Sequence, residues 1–178
     1  MTTTAPLTPK VCYTAAGILV HDNKVLLVKH KKLGIWLNPG GHVEGDELPH
    51  QTAEREFFEE TGVQVRARDL AGLAEKLGSS EYQPNPILTN VHWVCRENFE
   101  KRSADPENFT PQAPWQRGCE QHLGFMYLVE PTGSTEFVLD DTETDGIAWF
   151  SPEEVPGLET YDTIKAELAY AFELIAHL

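Results

Sequence analysis

The stretch of sequence that decides the fold is Gly41–Val63, GHVEGDELPHQTAEREFFEETGV, where a glycine-led turn runs into a predicted helix that carries three glutamates. At about 100° per residue, Glu59 lies to one side of Glu56 and Glu60 to the other, so the three carboxylates share one face. Like charges at this spacing repel by a few tenths of a kcal/mol per pair. A hard divalent cation with oxygen ligands would neutralise them. The plain alternative is a solvated acidic helix face.

The sequence spacing around these carboxylates distinguishes them from an ordinary solvated acidic face. Gly41 is followed at a fixed distance by Glu47 and then by Arg-Glu-Phe-Phe-Glu-Glu-Thr-Gly-Val at 55–63. This frame resembles the Nudix box of the Nudix hydrolases. The preceding run at 36–41, WLNPGG, resembles the W-x-x-P-G-G approach of the same family, and WFSPEE at 149–154 resembles its passage from strand to helix. The resemblance therefore covers most of the chain.

The resemblance implies an α/β fold, the Nudix α/β/α sandwich with a mixed β-sheet between helices. It also implies hydrolysis of a nucleoside diphosphate linked to another group, with Mg²⁺ as cofactor and Mn²⁺ as a substitute. The implied metal ligands are the carboxylates of Glu56, Glu59 and Glu60 and the carbonyl of Gly41.

Two further roles follow from the same positions. Arg55 and Glu47 match the pair that orients the catalytic helix in the family. Our first choice for the general base is Glu59, with Glu56 next, although a base on a distant acidic loop is an alternative. Phe57 departs from the aliphatic residue usual in the family, and we expect it to alter packing against the sheet more than chemistry.

The residue types suit this chemistry without the family name. Mg²⁺ takes only a few protein oxygens and keeps several waters, so three glutamates and one carbonyl can hold one or more ions beside a substrate phosphate. A metal ion so placed stabilises the charge that grows on the leaving oxygen and orients the attacking water.

Composition narrows the class of partner. With 178 residues, of which 40% are hydrophobic, the chain suits one domain over 1–178. The 28 acidic and 14 basic residues give a net charge of −14, which opposes binding to nucleic acid. We expect a small anionic nucleotide as substrate. The N-terminal MTTTAPLTPK has no signal-peptide pattern, and no stretch reaches about 18 apolar residues. We therefore expect a cytoplasmic location and no association with a membrane.

The cysteines and histidines give no pattern of their own. Cys12, Cys95 and Cys119 are odd in number and lack CxxC spacing, so we expect buried or incidental thiols, with neither a disulfide framework nor a thiolate zinc site. His42 and His50 flank the acidic helix, where a local structural role or contact with solvent is expected.

Hydrophobic patterning places the elements. One helix is predicted from about Glu47 to Thr61, with Gly62 as its C-terminal cap. A second is predicted to follow Ser151, which serves as its N-cap, and a third spans 160–178. The strands are predicted at 11–20, 25–28, 63–77, 87–96, 122–130 and 146–150. The polar segment 97–120 is too long for an ordinary connection. We interpret it as an insertion or a mobile lid close to the site, with simple disorder as the alternative.

Substrate contacts are the least determined part of the site. Trp36 and Tyr82 are candidates, although packing is the commoner role for a tryptophan at such a place. The acidic loop at 139–145 contributes Asp140, Asp141 and Glu143 as second candidates for an extra ligand, base or substrate contact.

The marks of several Nudix subgroups are missing. The first proline after Val63 is Pro84, too late for the ADP-ribose hydrolases, and Tyr82 is late for the dinucleoside polyphosphate hydrolases. A MutT-like hydrolase of nucleoside triphosphates or small nucleotides is therefore our leading hypothesis. The alternatives are a catalytically silent nucleotide-sensing module and an isopentenyl diphosphate isomerase-like enzyme that uses Cys95. A homodimer is expected only because many relatives pair.

Overall fold

The structure is a computed structural model, which describes residues 7–72, 76–77, 79–113, 115, 117–138 and 144–178. The strands are β1 (Val11–His21), β2 (Lys24–His30), β3 (Trp36–Leu37), β4 (Gly40–His42), β5 (Val65–Ala67), β6 (Lys76–Leu77), β7 (Ser80–Glu81), β8 (Leu88–Trp93), β9 (Gln121–Pro131) and β10 (Thr144–Phe150). The helices are α1 (Pro49–Thr61), α2 (Arg96–Ala104), α3 (Asp162–Ala176) and a short 3₁₀ helix, Val155–Gly157. Among these described residues, no helix is long and apolar enough to cross a membrane.

β1 lies at the centre of a mixed sheet. It pairs in parallel with β9 along nearly its whole length. On its other edge it pairs antiparallel with β4 and then, at its C-terminal end, with β2. β10 and β3 pair with β2, and β8 and β5 pair with β9, all antiparallel. β6 and β7 form a separate hairpin. The mixed sheet is the one predicted.

The two faces of β1 are buried under different helices, because alternate side chains of a strand point to opposite faces. Ala15 and Leu19 lie in the core that contains Phe57 of α1. Ala16 and Ile18 lie in the core that contains Leu168 of α3. The predicted α/β/α sandwich is therefore confirmed.

Local chemistry sets the ends of α1. Pro49 occupies the first turn, where its missing N–H costs nothing. The Gln51 side chain accepts the backbone N–H of Leu48 at 2.9 Å. Gly62 ends the helix in the left-handed region, at φ 73°, and its N–H donates to the carbonyl of Phe58. The helix begins two residues after the predicted Glu47.

Three predicted elements differ from the structure. The single strand expected over 63–77 is wrong: β5 ends at Ala67, and a turn closed by Gly72, at φ 63°, interrupts the chain before β6. The helix expected after Ser151 is a turn followed by the 3₁₀ helix. Pro156, within the 3₁₀ helix, has no N–H with which to continue an α-helical hydrogen-bond ladder from Ser151.

The third difference is α2, which sequence patterning missed. The strand predicted over 87–96 ends at Trp93, and Cys95 then caps α2 by accepting the N–H of Asn98 at its Sγ. The segment 97–120 therefore contains a helix. The last residue of this segment, Glu120, is fully buried and forms an ion pair with Arg102 of α2.

Candidate active site

Arg55 is the centre of the acidic face of α1. Its Nε and Nη2 donate to the two carboxylate oxygens of Glu47 at 2.6 and 3.1 Å. Its Nη1 donates to Glu56 at 2.8 Å and to Glu59 at 2.9 Å. Thr52 donates to Glu47 as well, at 2.8 Å. One guanidinium thus braces the turn before α1 against the helix and orients two of its carboxylates.

The same network keeps both Glu47 and Arg55 ionised, and we call these two residues the brace. Hydrogen bonding to Arg55 lowers the pKa of Glu47 to about 2, with smaller contributions from Thr52 and the backbone of Glu44. The hydrogen bonds that Arg55 donates, to Glu47 first and then to Glu56, raise the pKa of Arg55 above its ordinary value. The brace is therefore a charged pair over the whole neutral range.

The glycines of β4 lie directly against the carboxylates of Glu56 and Glu60. A Cβ built on Gly41 would overlap the carboxylate of Glu56. The N–H of Gly40 donates to Oε2 of Glu60 at 3.1 Å. The backbone of β4 is thereby held close to the acidic helix.

The structure brings some predicted site residues together more tightly than others. Glu56 and Glu59 both converge on Arg55, whereas Glu60 reaches the backbone of Gly40. Within the described part of the chain, three ligand atoms of metal-binding type come within 4.8 Å of one another at a different place, formed by Cys12, His42 and Cys119.

The predicted substrate contacts have mixed surroundings. Trp36 packs edge-on against Phe150, with ring centroids 4.8 Å apart, on the α3 side of the sheet. This is the packing role weighed against base stacking. Tyr82 follows β7 and is half exposed. Asp140, Asp141 and Glu143 lie outside the described residues.

The segment 97–120 reaches the neighbourhood of the site. Nη2 of Arg117 donates to Glu44, three residues after Gly41, at 2.7 Å. This hydrogen bond lowers the pKa of Glu44. Trp115 is half buried. A role for the segment as a lid stays a prediction.

The expectation for the cysteines is corrected by the structure. Cys12 and Cys119 form a disulfide, with their Cα atoms 5.7 Å apart. Cys12 is the second residue of β1, and Cys119 lies just before β9. The parallel pairing of these strands therefore brings together cysteines that are 107 residues apart. The odd count gave no sign of this pairing, since Cys95 is the one left free. His42 also lies beside Cys119 rather than in solvent.

Comparison with known proteins identifies the class. A family model described as the NUDIX domain matches residues 13–172. A hydrolase of the NUDIX family from Clostridium perfringens has a similar structure, with a TM-score of 0.68, 26% identity, and 92% of this chain and 97% of that chain covered.

Two curated relatives carry more specific names. A putative 8-oxo-dGTP diphosphatase from Bacillus subtilis is 31% identical over 139 residues, which cover 78% of this chain and 65% of that protein. A MutT-like protein from Streptomyces ambofaciens is 38% identical over 106 residues, which cover 52% of this chain and 69% of that protein. The chain thus spans about two thirds of the length of these relatives. With the family match, these findings show that the chain belongs to the Nudix family.

Proposed function

We propose that this protein is a Mg²⁺-dependent pyrophosphohydrolase that acts on a nucleoside diphosphate linked to another group. The leading substrates are a nucleoside triphosphate or another small nucleotide. The observation that carries the proposal is the contact between two elements of the site: the carboxylate of Glu56 fills the space that a side chain at Gly41 would occupy. This contact places the carboxylate of Glu56 next to the glycine backbone of β4.

The donor set fits a hard divalent ion. Glu56, Glu59, Glu60 and the carbonyl of Gly41 offer only oxygen, the ligand that Mg²⁺ and Mn²⁺ prefer. When bound, the ion would neutralise charge on the diphosphate and orient a water for attack on phosphorus. Arg55 and Glu47 would keep the helix in position.

The side chains differ in their access to water. The side chain of Glu59 is 54% exposed, whereas that of Glu56 is 13% exposed and Glu60 is 8% exposed as a whole residue. Glu60 also holds the N–H of Gly40. A base must reach the water whose proton it takes, so this exposure supports Glu59 as the general base, with Glu56 second. Asp140, Asp141 and Glu143 stay as candidates for an additional ligand or substrate contact.

The substrate class rests on charge and on the relatives. A chain of net charge −14 repels a long polyanion, and a small nucleotide binds only with its charge neutralised in the site. The names of the relatives include an 8-oxo-dGTP diphosphatase and an ADP-ribose pyrophosphatase. We place the activity in the cytoplasm and in a single domain, with a homodimer as the expected assembly.

The test is a panel of nucleotides with and without Mg²⁺, with the release of nucleoside monophosphate followed by anion-exchange chromatography. The panel contains 8-oxo-dGTP, dGTP, ADP-ribose and a dinucleoside polyphosphate. We expect Mg²⁺-dependent turnover of at least one, stopped by a chelator. Glu59→Gln should lower kcat by roughly 100-fold or more, the usual contribution of a general base.

Glu54→Gln is the matched control on the same helix. Glu54 accepts the N–H of Ala67 at 2.9 Å, and glutamine keeps an acceptor oxygen there, so its turnover should equal that of the wild type. Equal losses in both variants would contradict the assigned role of Glu59. Nucleotide binding without turnover anywhere in the panel would favour the sensing module. Isomerisation of isopentenyl diphosphate that Cys95→Ser abolishes would favour the isomerase.

A further inference from the structure

A second cluster of ligand-type side chains lies on the opposite side of the sheet from the glutamates. The Sγ atoms of Cys12 and Cys119 and a ring nitrogen of His42 all lie within 4.8 Å of one another. Nε2 of His42 is 3.4 Å from Sγ of Cys119. Cys119 is buried, and the other two are half buried. Three separate segments meet here: the start of β1, β4, and the residue pair before β9.

Strand register explains why these residues meet. In the β1–β4 pair, Thr14 faces His42 and Ala15 faces Gly41. Adjacent residues of a strand point to opposite faces, so His42 projects on the α3 side while Gly41 lies on the α1 side against Glu56. Cys12 shares the face of Thr14, two residues away.

Further histidines border the cluster. His122 is the register partner of both Cys12 and His92, and its ring lies edge-on to that of His42, with centroids 4.9 Å apart. Nε2 of His122 is buried, and no described residue hydrogen-bonds to it. Among the described residues, this buried nitrogen therefore has no hydrogen-bond partner, and it lies at the margin of a sulfur and nitrogen cluster.

We propose that Cys12, Cys119 and His42, once the disulfide is reduced, form a zinc-binding site distinct from the acidic site on α1. Two thiolates and an imidazole are borderline-soft ligands that suit Zn²⁺, whereas Mg²⁺ takes oxygen. Zinc bonds of about 2.0–2.3 Å in a tetrahedron hold ligand atoms roughly 3.3–3.8 Å apart. Nε2 of His42 and Sγ of Cys119 already lie at that spacing, at 3.4 Å, and the two sulfur atoms would move apart to it once their bond is broken. The fourth position is open to water or to His122.

The disulfide and the zinc site are alternative states of the same sulfur atoms. A phosphine reductant converts the S–S bond into two thiols while it takes up an oxygen atom from water. Zinc binding then releases the two thiol protons, because the metal binds thiolates. A reducing compartment such as the cytoplasm favours the second state.

The two states differ in what they connect. The disulfide joins β1 only to the residue pair before β9. The zinc site would also hold His42 and so tie β4, which carries Gly40 and Gly41, to both. The proposed metal would in this way stiffen the strand that lies against the carboxylates of Glu56 and Glu60.

Cobalt titration of the whole protein tests the site without reference to catalysis. After anaerobic reduction with a phosphine, Co²⁺ should give the visible bands of a tetrahedral ion and a near-ultraviolet sulfur-to-cobalt charge-transfer band. The bands should saturate at about one ion per chain and vanish when Zn²⁺ is added, since zinc binds such sites more tightly. The unreduced protein is the internal control and should show neither band.

Variants assign the ligands. Cys12→Ser and His42→Gln should each weaken cobalt binding at least tenfold, whereas Cys95→Ser, at the remaining free cysteine, should leave the spectrum unchanged. Glu56→Gln should also leave it unchanged, because the acidic site holds no sulfur. The proposal is overturned if the reduced wild type shows no charge-transfer band, or if the Cys12→Ser spectrum equals that of the wild type.

Discussion

Gly41 is a residue at which any side chain would collide with the acidic site. A methyl group on its α-carbon would overlap the Glu56 carboxylate, which is the far end of a flexible side chain rather than backbone. The substitution would therefore displace the carboxylate at little cost in folding. A small displacement of this kind disturbs chemistry more than stability.

We predict that Gly41→Ala lowers the Mg²⁺-dependent kcat/KM by roughly 100-fold, the order expected for misplacement of a catalytic group by about 1 Å. Steady-state kinetics at saturating Mg²⁺, together with a thermal unfolding curve, measures both effects. Gly157→Ala is the control, because a Cβ there meets open space. Unchanged kinetics in Gly41→Ala would show that catalysis does not depend on the position of the Glu56 carboxylate.

Glu167 is a buried carboxyl of α3 whose role is separate from the acidic site. Asn90 donates to its Oε1 at 2.7 Å, and Asn90 in turn contacts His92. Burial raises the pKa of Glu167, and the hydrogen bond from Asn90 only partly offsets this. In the folded state the carboxyl therefore holds its proton to a higher pH than in the unfolded state.

The sign of the pH effect follows from this difference. Above the unfolded value of about 4.5, the unfolded chain releases the proton first, so Glu167 costs stability as the pH rises through the folded pKa. We predict that Glu167→Gln raises the urea midpoint at pH 8 and leaves it nearly unchanged at pH 4. Glu173→Gln, on the exposed side of α3, should leave the urea midpoint nearly unchanged at both pH values. A lower midpoint at pH 8 would contradict the prediction.

At the scale of elements, α1 and β1 fit together through a pairing of a large and a small residue. Phe57 is fully buried, and a Cβ on Gly17 of β1 would lie 2.8 Å from its ring. The aromatic residue at this position of the helix is thus matched by a glycine in the strand beneath it. The departure of Phe57 from the usual aliphatic residue is accommodated by packing.

A double-mutant cycle tests this fit. Gly17→Ala should destabilise the protein by about 1–3 kcal/mol through overpacking. Gly17→Ala combined with Phe57→Leu should recover part of that loss, with a coupling free energy of about 1 kcal/mol. Urea unfolding of the four proteins gives the coupling. Additive effects would show that the two residues do not press on each other.

α2 is fastened to the sheet by one buried ion pair. Nη2 of Arg102 donates to Oε2 of Glu120 at 2.7 Å and to the carbonyl of Thr8 at 2.8 Å. The N–H of Lys10 also donates to Glu120, at 2.7 Å. The pair therefore joins α2, the N-terminal segment and the start of β9.

We predict that Glu120→Gln destabilises the protein by about 3–5 kcal/mol, because it leaves the Arg102 guanidinium without its anion in a largely buried place. Glu97→Gln breaks an exposed pair with Lys101 on the same helix and should cost no more than about 0.5 kcal/mol. Denaturant unfolding measures both. A loss below about 1 kcal/mol in Glu120→Gln would mean that α2 is held by other contacts.

At the scale of the molecule, the parts that were predictable from sequence depend on short-range patterns. The helix with its three glutamates and its end at Gly62 are determined by residues adjacent in the chain. The α/β/α order followed from the family resemblance.

The parts that could not be predicted depend on contacts between distant segments. Cys12 meets Cys119 only because β1 and β9 are parallel neighbours, and His42 joins them through the β1–β4 register. α2 has hardly any apolar face, so hydrophobic periodicity could not reveal it; an ion pair holds it instead. The role of Arg55 in orienting the helix is predictable from the family resemblance, whereas its simultaneous hydrogen bonds to Glu47, Glu56 and Glu59 depend on how the turn before α1 folds back on the helix.

The central claim is that the acidic face of α1 holds a divalent ion against a diphosphate. Electron paramagnetic resonance of Mn²⁺, titrated into the protein with a non-hydrolysable nucleotide triphosphate, measures that binding directly. We predict that Glu56→Gln and Glu60→Gln each weaken Mn²⁺ binding by at least tenfold, whereas Glu54→Gln, on the same helix, binds as the wild type does. Equal Mn²⁺ affinity in all four proteins would contradict the account.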